Sequence, residues 1–191
     1  MPSTESPELG TALLDLARGA LHQALKADPP QAASVAPHCA DTLDQPGATF
    51  VTLTQDGQLR GCIGSLQAWR PLRSDVQANA VAAGLSDPRF APLRADELIR
   101  TRVEVSLLSA ATLMAAIDEG DALAQLRPGV DGVILEHGRH RATFLPQVWE
   151  QLPERHQFLA HLKHKAGLSP AFWAPDLRLH RYTVTKWKES M

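Results

Sequence analysis

One cysteine bracketed by glycines carries the most chemistry in this chain, in Leu59-Arg60-Gly61-Cys62-Ile63-Gly64-Ser65. A thiolate is the attacking form of cysteine, and cations, a helix N-terminus or backbone donors favour it. Arg60 shares a face with Cys62 in a flat strand, and Arg89 is a second candidate cation. Glu104 sits on the polar face of an alternating segment, where a carboxylate can handle a proton or orient a cation. Glycine permits close backbone approaches, so N–H groups around Gly61–Gly64 are candidates for an oxyanion hole. The competing reading is plainer. Cys62 is then a small buried hydrophobe in a glycine bend, Arg60 an exposed strand residue and Glu104 part of a solvated face.

The elements that must position these residues follow from periodicity. Ser6-Pro7 reads as a cap with proline at the first helical position, and Leu9, Leu13, Leu16, Leu21 and Leu25 form a helical stripe to about Ala27. Asp28-Pro29-Pro30 stops it, and a Pro-rich loop follows over 28–47. Ala48–Thr54 and Leu59–Gly64 alternate around Gln55-Asp56-Gly57-Gln58, which predicts a hairpin with Cys62 near the end of its second strand. Pro71 opens a helix to about Leu85, and the prolines of Asp87-Pro88-Arg89-Phe90-Ala91-Pro92 forbid its continuation. Ala95–Leu98 forms a short turn. Arg102–Ser109 is a strand with Val103, Val105 and Leu107 on one face and Glu104 and Ser106 on the other. It is expected to join the hairpin in one sheet.

Short helices are predicted near 112–119 and 121–126, and a second hairpin over 130–145 turns at His137-Gly138-Arg139-His140. Further helices cover 146–152 and 154–166, the latter ended by Gly167, with a helical turn from Ser169-Pro170 to Trp173. Leu179–Trp187 closes the chain as one strand. Trp149, Phe158 and Trp173 read as core. Hairpins mixed with helices give an α+β class, with a mixed or antiparallel sheet and flanking helices.

Composition bounds the function. The 191 residues, 44% hydrophobic and 21% charged, suit one domain over 1–191 with a frayed stretch at 1–6. A net charge of -2 gives no basic field for nucleic acid. No apolar run suits a membrane span and no leader is evident, so a reducing cytoplasm is expected, where Cys39 and Cys62 imply no disulfide. His137, His140, His156, His161 and His164 match no metal-site spacing, and no phosphate loop occurs, so neither metal nor cofactor is expected.

Several blocks in order carry a resemblance: Leu59-Arg60-Gly61-Cys62-Ile63-Gly64, Ala82-Ala83, Asp87-Pro88-Arg89-Phe90, Glu97-Leu98, Val103-Glu104-Val105-Ser106, Gly129-x-Asp131-Gly132-Val133, Phe144-Leu145-Pro146-Gln147-Val148 and Lys165-Ala166-Gly167-Leu168. Over roughly residues 9–187 the chain resembles the AMMECR family, and within it the A component of the AmmeMemoRadiSam system. The segment Glu154-Arg155-His156 is poorer in aromatics than the family's usual pattern, and Cys39 lies outside its motif. The resemblance implies an α+β fold with a larger and a smaller subdomain and a cleft between them that could take a small molecule. It also implies a shared pathway with a Memo-like protein and a radical S-adenosylmethionine enzyme, but no settled reaction. It raises Cys62, Arg60, Glu104, Arg89 and Asp87 as catalytic candidates, with Gly61, Ile63, Gly64, Ser65 and Ser106 as binding candidates. If these converge, Asp87 and Glu104 compensate Arg60 and Arg89 beside the thiol. Two functions compete: a cysteine-dependent enzyme, and a non-catalytic binding or delivery partner in the same pathway.

Overall fold

Helix α1 (Pro7–Ala24) begins where Ser6-Pro7 places it. The Ser6 hydroxyl accepts the Leu9 N–H at 3.4 Å, and Leu9, Leu13, Ala17 and Leu21 are buried. The structure, a computed structural model, describes residues 6–28 and 36–190. The expected fraying over 1–6 falls outside this range except at Ser6, which is the cap. Of the Pro-rich loop expected over 28–47, residues 29–35 also fall outside it, and the remainder is not a simple loop. Pro37 occupies the first position of a helix, α2 (Pro37–Asp44), where its missing N–H costs nothing and Cys39 and Leu43 are buried.

Strand β1 (Pro46–Gly47) pairs with β4 (Arg70–Pro71). Between them lie β2 (Thr49–Gln55) and β3 (Gln58–Gly64), joined by a turn with positive φ at both Asp56 (49°) and Gly57 (77°). Such a turn matches the twist of the strands it connects. Helix α3 (Leu72–Leu85) follows, then a 3-10 turn over Ala95–Arg100 and β5 (Thr101–Leu108). As expected, β2 pairs antiparallel with both β3 and β5.

Beyond β5 come β6 (Thr112–Leu113), α4 (Glu119–Gln125), β7 (Gly132–His137), β8 (His140–Phe144), a 3-10 turn over Pro146–Glu150, α5 (Arg155–Lys165), β9 (Arg178–Tyr182) and β10 (Val184–Lys188). The helix predicted near 112–119 is absent. Thr112 and Leu113 instead pair with Arg181 and His180, and the Met114 N–H continues to the Leu179 carbonyl at 2.8 Å. Ser169–Trp173 contains a single turn, closed by the Phe172 N–H on the Ser169 carbonyl. The closing strand is two strands, because Thr183 leaves the ladder and bonds Ser109 instead.

These elements form two compact units: 1–108 with 185–191, and 109–184. The larger unit has a four-stranded sheet ordered β10-β5-β2-β3. Val51, Leu53, Val103 and Val105 on one face are fully buried in a core with Leu13, Leu21, Val76 and Ala80 from α1 and α3. Each of the valines and leucines contributes roughly 1.5–3 kcal/mol. The smaller unit has a sheet ordered β6-β9-β7-β8, and its core is built on Leu126, Val133, Leu135, Leu159 and Leu162. Trp149 stacks on Phe158 at 3.7 Å between ring centroids, and Trp173 packs against the same core. Helix α5 ends in a Schellman motif: Gly167 (φ 78°) and Leu168 donate to His164 and Lys163. No helix among the described residues is long and apolar enough to cross a membrane.

Candidate functional site

Cys62 lies on β3, an outer strand of its sheet. Register sets it opposite Thr52 on β2, and sets Thr52 opposite Glu104 on β5. The three side chains therefore form one row on the face away from the core, and all three are partly exposed. The Thr52 Oγ1 donates to the Cys62 Sγ at 3.3 Å. Strand spacing puts the Cα atoms of Cys62 and Glu104 about 10 Å apart.

The backbone of Cys62 is held from the other side. Its N–H donates to Asp87 Oδ2 at 2.8 Å, and its carbonyl accepts from Arg89 Nη2 at 3.3 Å. Asp87 and Arg89 also close on each other, at 3.0 Å (Nε–Oδ1) and 2.7 Å (Nη2–Oδ2). This clasp does for Cys62 what a further strand would do, and guards a sheet edge that would otherwise invite pairing. The hydrogen bonds from Arg89, then the Cys62 N–H, hold the Asp87 carboxyl well below the usual carboxylate range. The same bond with Asp87 raises Arg89 above its ordinary value.

The flanking glycines answer to packing. A β-carbon on Gly61 would stand 2.0 Å from the Ala83 carbonyl oxygen of α3, and one on Gly64 would stand 2.2 Å from the Phe50 ring. Because Asp87 occupies the Cys62 N–H, that group is not open to an oxyanion. Ile63 packs against the core. Ser106, opposite Phe50, is buried.

Arg60 does not join the row. Register slips between Leu53, which faces Gly61, and Thr54, which faces Leu59, leaving Arg60 as the extra residue of a β-bulge. Its guanidinium goes to Glu97, at 3.3 Å and 3.2 Å, and to the Ala91 carbonyl at 2.8 Å. Burial pushes the Glu97 pKa up, but the bonds from Arg60, the Arg94 N–H and Gln55 outweigh it and bring it down to about 2. The flat-strand expectation for Arg60 is therefore corrected by one inserted residue. Ser65 is also drawn elsewhere. Its hydroxyl donates to the fully buried Asp75, which also accepts from Thr49, Arg70 and Asn79.

Of Cys62, Arg60, Asp87, Arg89 and Glu104, expected together, Asp87 and Arg89 meet at the Cys62 backbone, whereas Arg60 turns to Glu97 and Glu104, two strands away, pairs with neither arginine. Sequence reasoning misses Thr52, Asp75 and Asn79. The missed signal for the last two is their spacing of four residues on α3, which puts two polar groups on one side of a helix beside Val76 and Ala80. Among the described residues, no group of three or more His, Cys, Asp or Glu is placed to hold a metal.

Comparison with known proteins places this arrangement. The profile of the AMMECR1 family matches residues 14–187. A protein of Methanothermobacter thermautotrophicus is 34% identical over 186 residues, covering 96% of each chain. One from Saccharolobus islandicus is 36% identical over 190 residues, covering 96% of this chain and 82% of its own. The crystal structure of uncharacterized protein PH0010 from Pyrococcus horikoshii superimposes with a TM-score of 0.76 at 31% identity, covering 96% of this chain and 93% of that one. With sequence and fold in agreement over nearly its whole length, this chain belongs to the AMMECR1 family.

Proposed function

We propose that the protein is a cysteine-dependent enzyme in which Cys62 takes up a group on sulfur. The supporting observation is the Thr52 hydroxyl aimed at a partly exposed Sγ, on a residue whose own backbone is fixed by Asp87 and Arg89. The sulfur attacks an electrophilic carbon and an S–C bond forms. The bond to the leaving group breaks, its electron pair departs with that group, and the thiol proton passes to the leaving group or to solvent. Thr52 supports charge that develops on the sulfur, and the clasp keeps the sulfur in place. The pathway partners that fit are those the family resemblance implies, a Memo-like protein and a radical S-adenosylmethionine enzyme.

A second reading, a non-catalytic delivery partner in the same pathway, draws on other observations. Gly61, Gly64 and Arg60 each have a packing role that needs no chemistry. Mass spectrometry of the protein isolated from its own cells distinguishes the two. An adduct on the Cys62 peptide supports the enzyme. A bare thiol, together with a folded Cys62→Ser protein that still completes the pathway, supports the partner.

A further inference from the structure

The two side chains that clasp the Cys62 backbone are both charged. Meeting one N–H and one carbonyl asks for no charge, since the peptide of a neighbouring strand would do it. Asp87 is instead a carboxylate only 4% exposed, closed on the exposed guanidinium of Arg89. Burying a carboxylate is costly even when it is paired. The bonds of 2.8 Å to the Cys62 N–H and 3.3 Å to its carbonyl bring both charges near the sulfur. Covalent geometry keeps each within roughly 8 Å of Sγ. Arg89 is raised above its ordinary value by Asp87 first, with a smaller part from the Cys62 thiolate. The charges on the surrounding elements of the larger unit are matched or turned away. Arg60 is held by Glu97. On α3, Asp75 is paired with Arg70 and Arg73 with Asp44. Glu104 and Arg102 lie on β5, two strands from Cys62, and Arg102 turns to the Ile99 carbonyl. Lys186 and Lys188 lie one strand further, on β10, where the bond from the Glu189 N–H to the Val103 carbonyl sets Lys188 beside Glu104. Thr52, the direct neighbour, is neutral.

We infer that Asp87 and Arg89 set how readily Cys62 loses its proton, and do so with opposite signs. Arg89 favours the thiolate. Asp87 restrains it, by holding the guanidinium and by its own charge. Both act through Cys62 and touch no reacting atom, so they are positioning residues. The inference rests on Cys62 being the reactive residue, and adds how its reactivity is regulated. The thiol is governed by a pair whose halves oppose each other, so a change at either half moves it.

Alkylation by iodoacetamide, a neutral reagent, tests this on the full chain. The Cys62 sulfur forms an S–C bond, iodide leaves with the electron pair and the thiol proton passes to buffer. The rate is followed against pH, and peptide mapping separates Cys62 from the buried Cys39. The midpoint of that curve reports proton loss, whereas its plateau reports access to the sulfur. Asp87→Asn, Arg89→Gln and Arg89→Lys are compared with the unaltered protein. An asparagine oxygen can still accept the Cys62 N–H. Urea unfolding checks that each variant is folded at the pH values used.

The midpoint should fall by about 0.5–1 pH unit in Asp87→Asn and rise by about as much in Arg89→Gln, as expected when one charge is removed near a partly exposed sulfur. Arg89→Lys keeps the charge and should stay within about 0.3 pH unit of the unaltered protein. Both displacements should shrink in about 0.5 M salt. A clasp that only holds the strand would raise the plateau in both variants and carry both midpoints the same way, towards an ordinary thiol. If the midpoints move together or not at all, or Arg89→Lys moves as far as Arg89→Gln, the inference is wrong and the nucleophile reading stands. Should Asp87→Asn fail to fold, the contrast between the two Arg89 variants decides alone. If Cys62 in the folded protein is inert at every pH, both the inference and the nucleophile reading fall.

Discussion

Two glycine-rich blocks, Leu59–Gly64 and Gly129–Val133, look alike in sequence but differ in what packing leaves over. In the second, a β-carbon on Gly132 would stand 2.4 Å from the Tyr182 ring. Asp131 is fully buried, accepts the Arg127 N–H at 2.9 Å and pairs with its guanidinium at 2.6 Å. Its carbonyl accepts the Trp149 indole N–H at 2.7 Å. Asp131 and the buried Val133 there both have structural partners, and only Val130 faces solvent. In the first block the glycines and Arg60 are explained in the same way, but the sulfur of Cys62 faces outward beside a hydroxyl donor. Recurring glycines thus say that backbones approach closely. The polar or reactive residue left without a packing role, rather than an exposed Leu59 or Val130, is the one that points to chemistry.

Substitutions can break or sharpen that contrast. The largest effect is expected at the glycines. Gly61→Ala forces a methyl onto a backbone carbonyl that cannot swing away, and should cost about 3 kcal/mol or more in urea unfolding. Gly132→Ala meets a ring that can tilt, and should cost roughly 1–3 kcal/mol. Equal costs would show that α3 yields as readily as a side chain.

Next in size is Asp131→Ala, which empties a buried carboxylate position and takes the acceptor from the part-buried Arg127 N–H, and should cost about 1–3 kcal/mol, the exposed Arg127 guanidinium turning to water. Cys62→Ser should change stability by less than about 1 kcal/mol, since the site is partly exposed, while abolishing adduct formation. A Cys62→Ser protein as unstable as Asp131→Ala would place Cys62 with the structural residues.

A smaller effect should appear in acid. The folded-state pKa of Glu97 is depressed from 4.5 to about 2. Its contribution to stability is therefore complete above the unfolded value and fades as pH falls from about 4.5 towards 2. In Arg60→Gln that part of the acid dependence should diminish, as read from urea midpoints at a series of pH values. An unchanged profile would mean that the bulge does not depend on the ion pair.

The smallest structural change is Thr52→Val, expected to alter stability by about 1 kcal/mol or less. It should nevertheless slow modification of Cys62 by methyl methanethiosulfonate, which forms a mixed disulfide with the thiolate, several-fold. An unchanged rate would remove Thr52 from the site.

Much of this architecture is legible in the residues. Ser6-Pro7, Asp56-Gly57 and Gly167 act within a few positions of themselves, and the structure places a cap, a hairpin turn and a helix end there. Alternation puts Glu104 on the outward face of β5, in the same row as Cys62. What fails depends on partners distant in sequence. Pro37 suits a loop or a helix start equally well, and only the burial of Cys39 and Leu43 decides for the helix. Thr112 and Leu113 are too few to show a period, and β9 makes them a strand. Arg60 was misdirected because a bulge inserts one residue without altering the local pattern of residue types. Asp75 and Asn79 read as solvated positions until the buried Thr49 is brought against them.

The break at Thr183 has a consequence for how the chain tolerates change. Ser109 and Thr183 hold each other through two hydrogen bonds of 2.9 Å, Ser109 N–H to the Thr183 carbonyl and Thr183 N–H to the Ser109 hydroxyl. The segment between them therefore departs and returns through a closed neck. Lengthening or shortening it adds no new gap for the host sheet to span, because the neck has already met the entropy of closure. Insertions beyond Ser109 and before Thr183 should thus be absorbed within the guest segment, while β5 and β10 keep their places as neighbours.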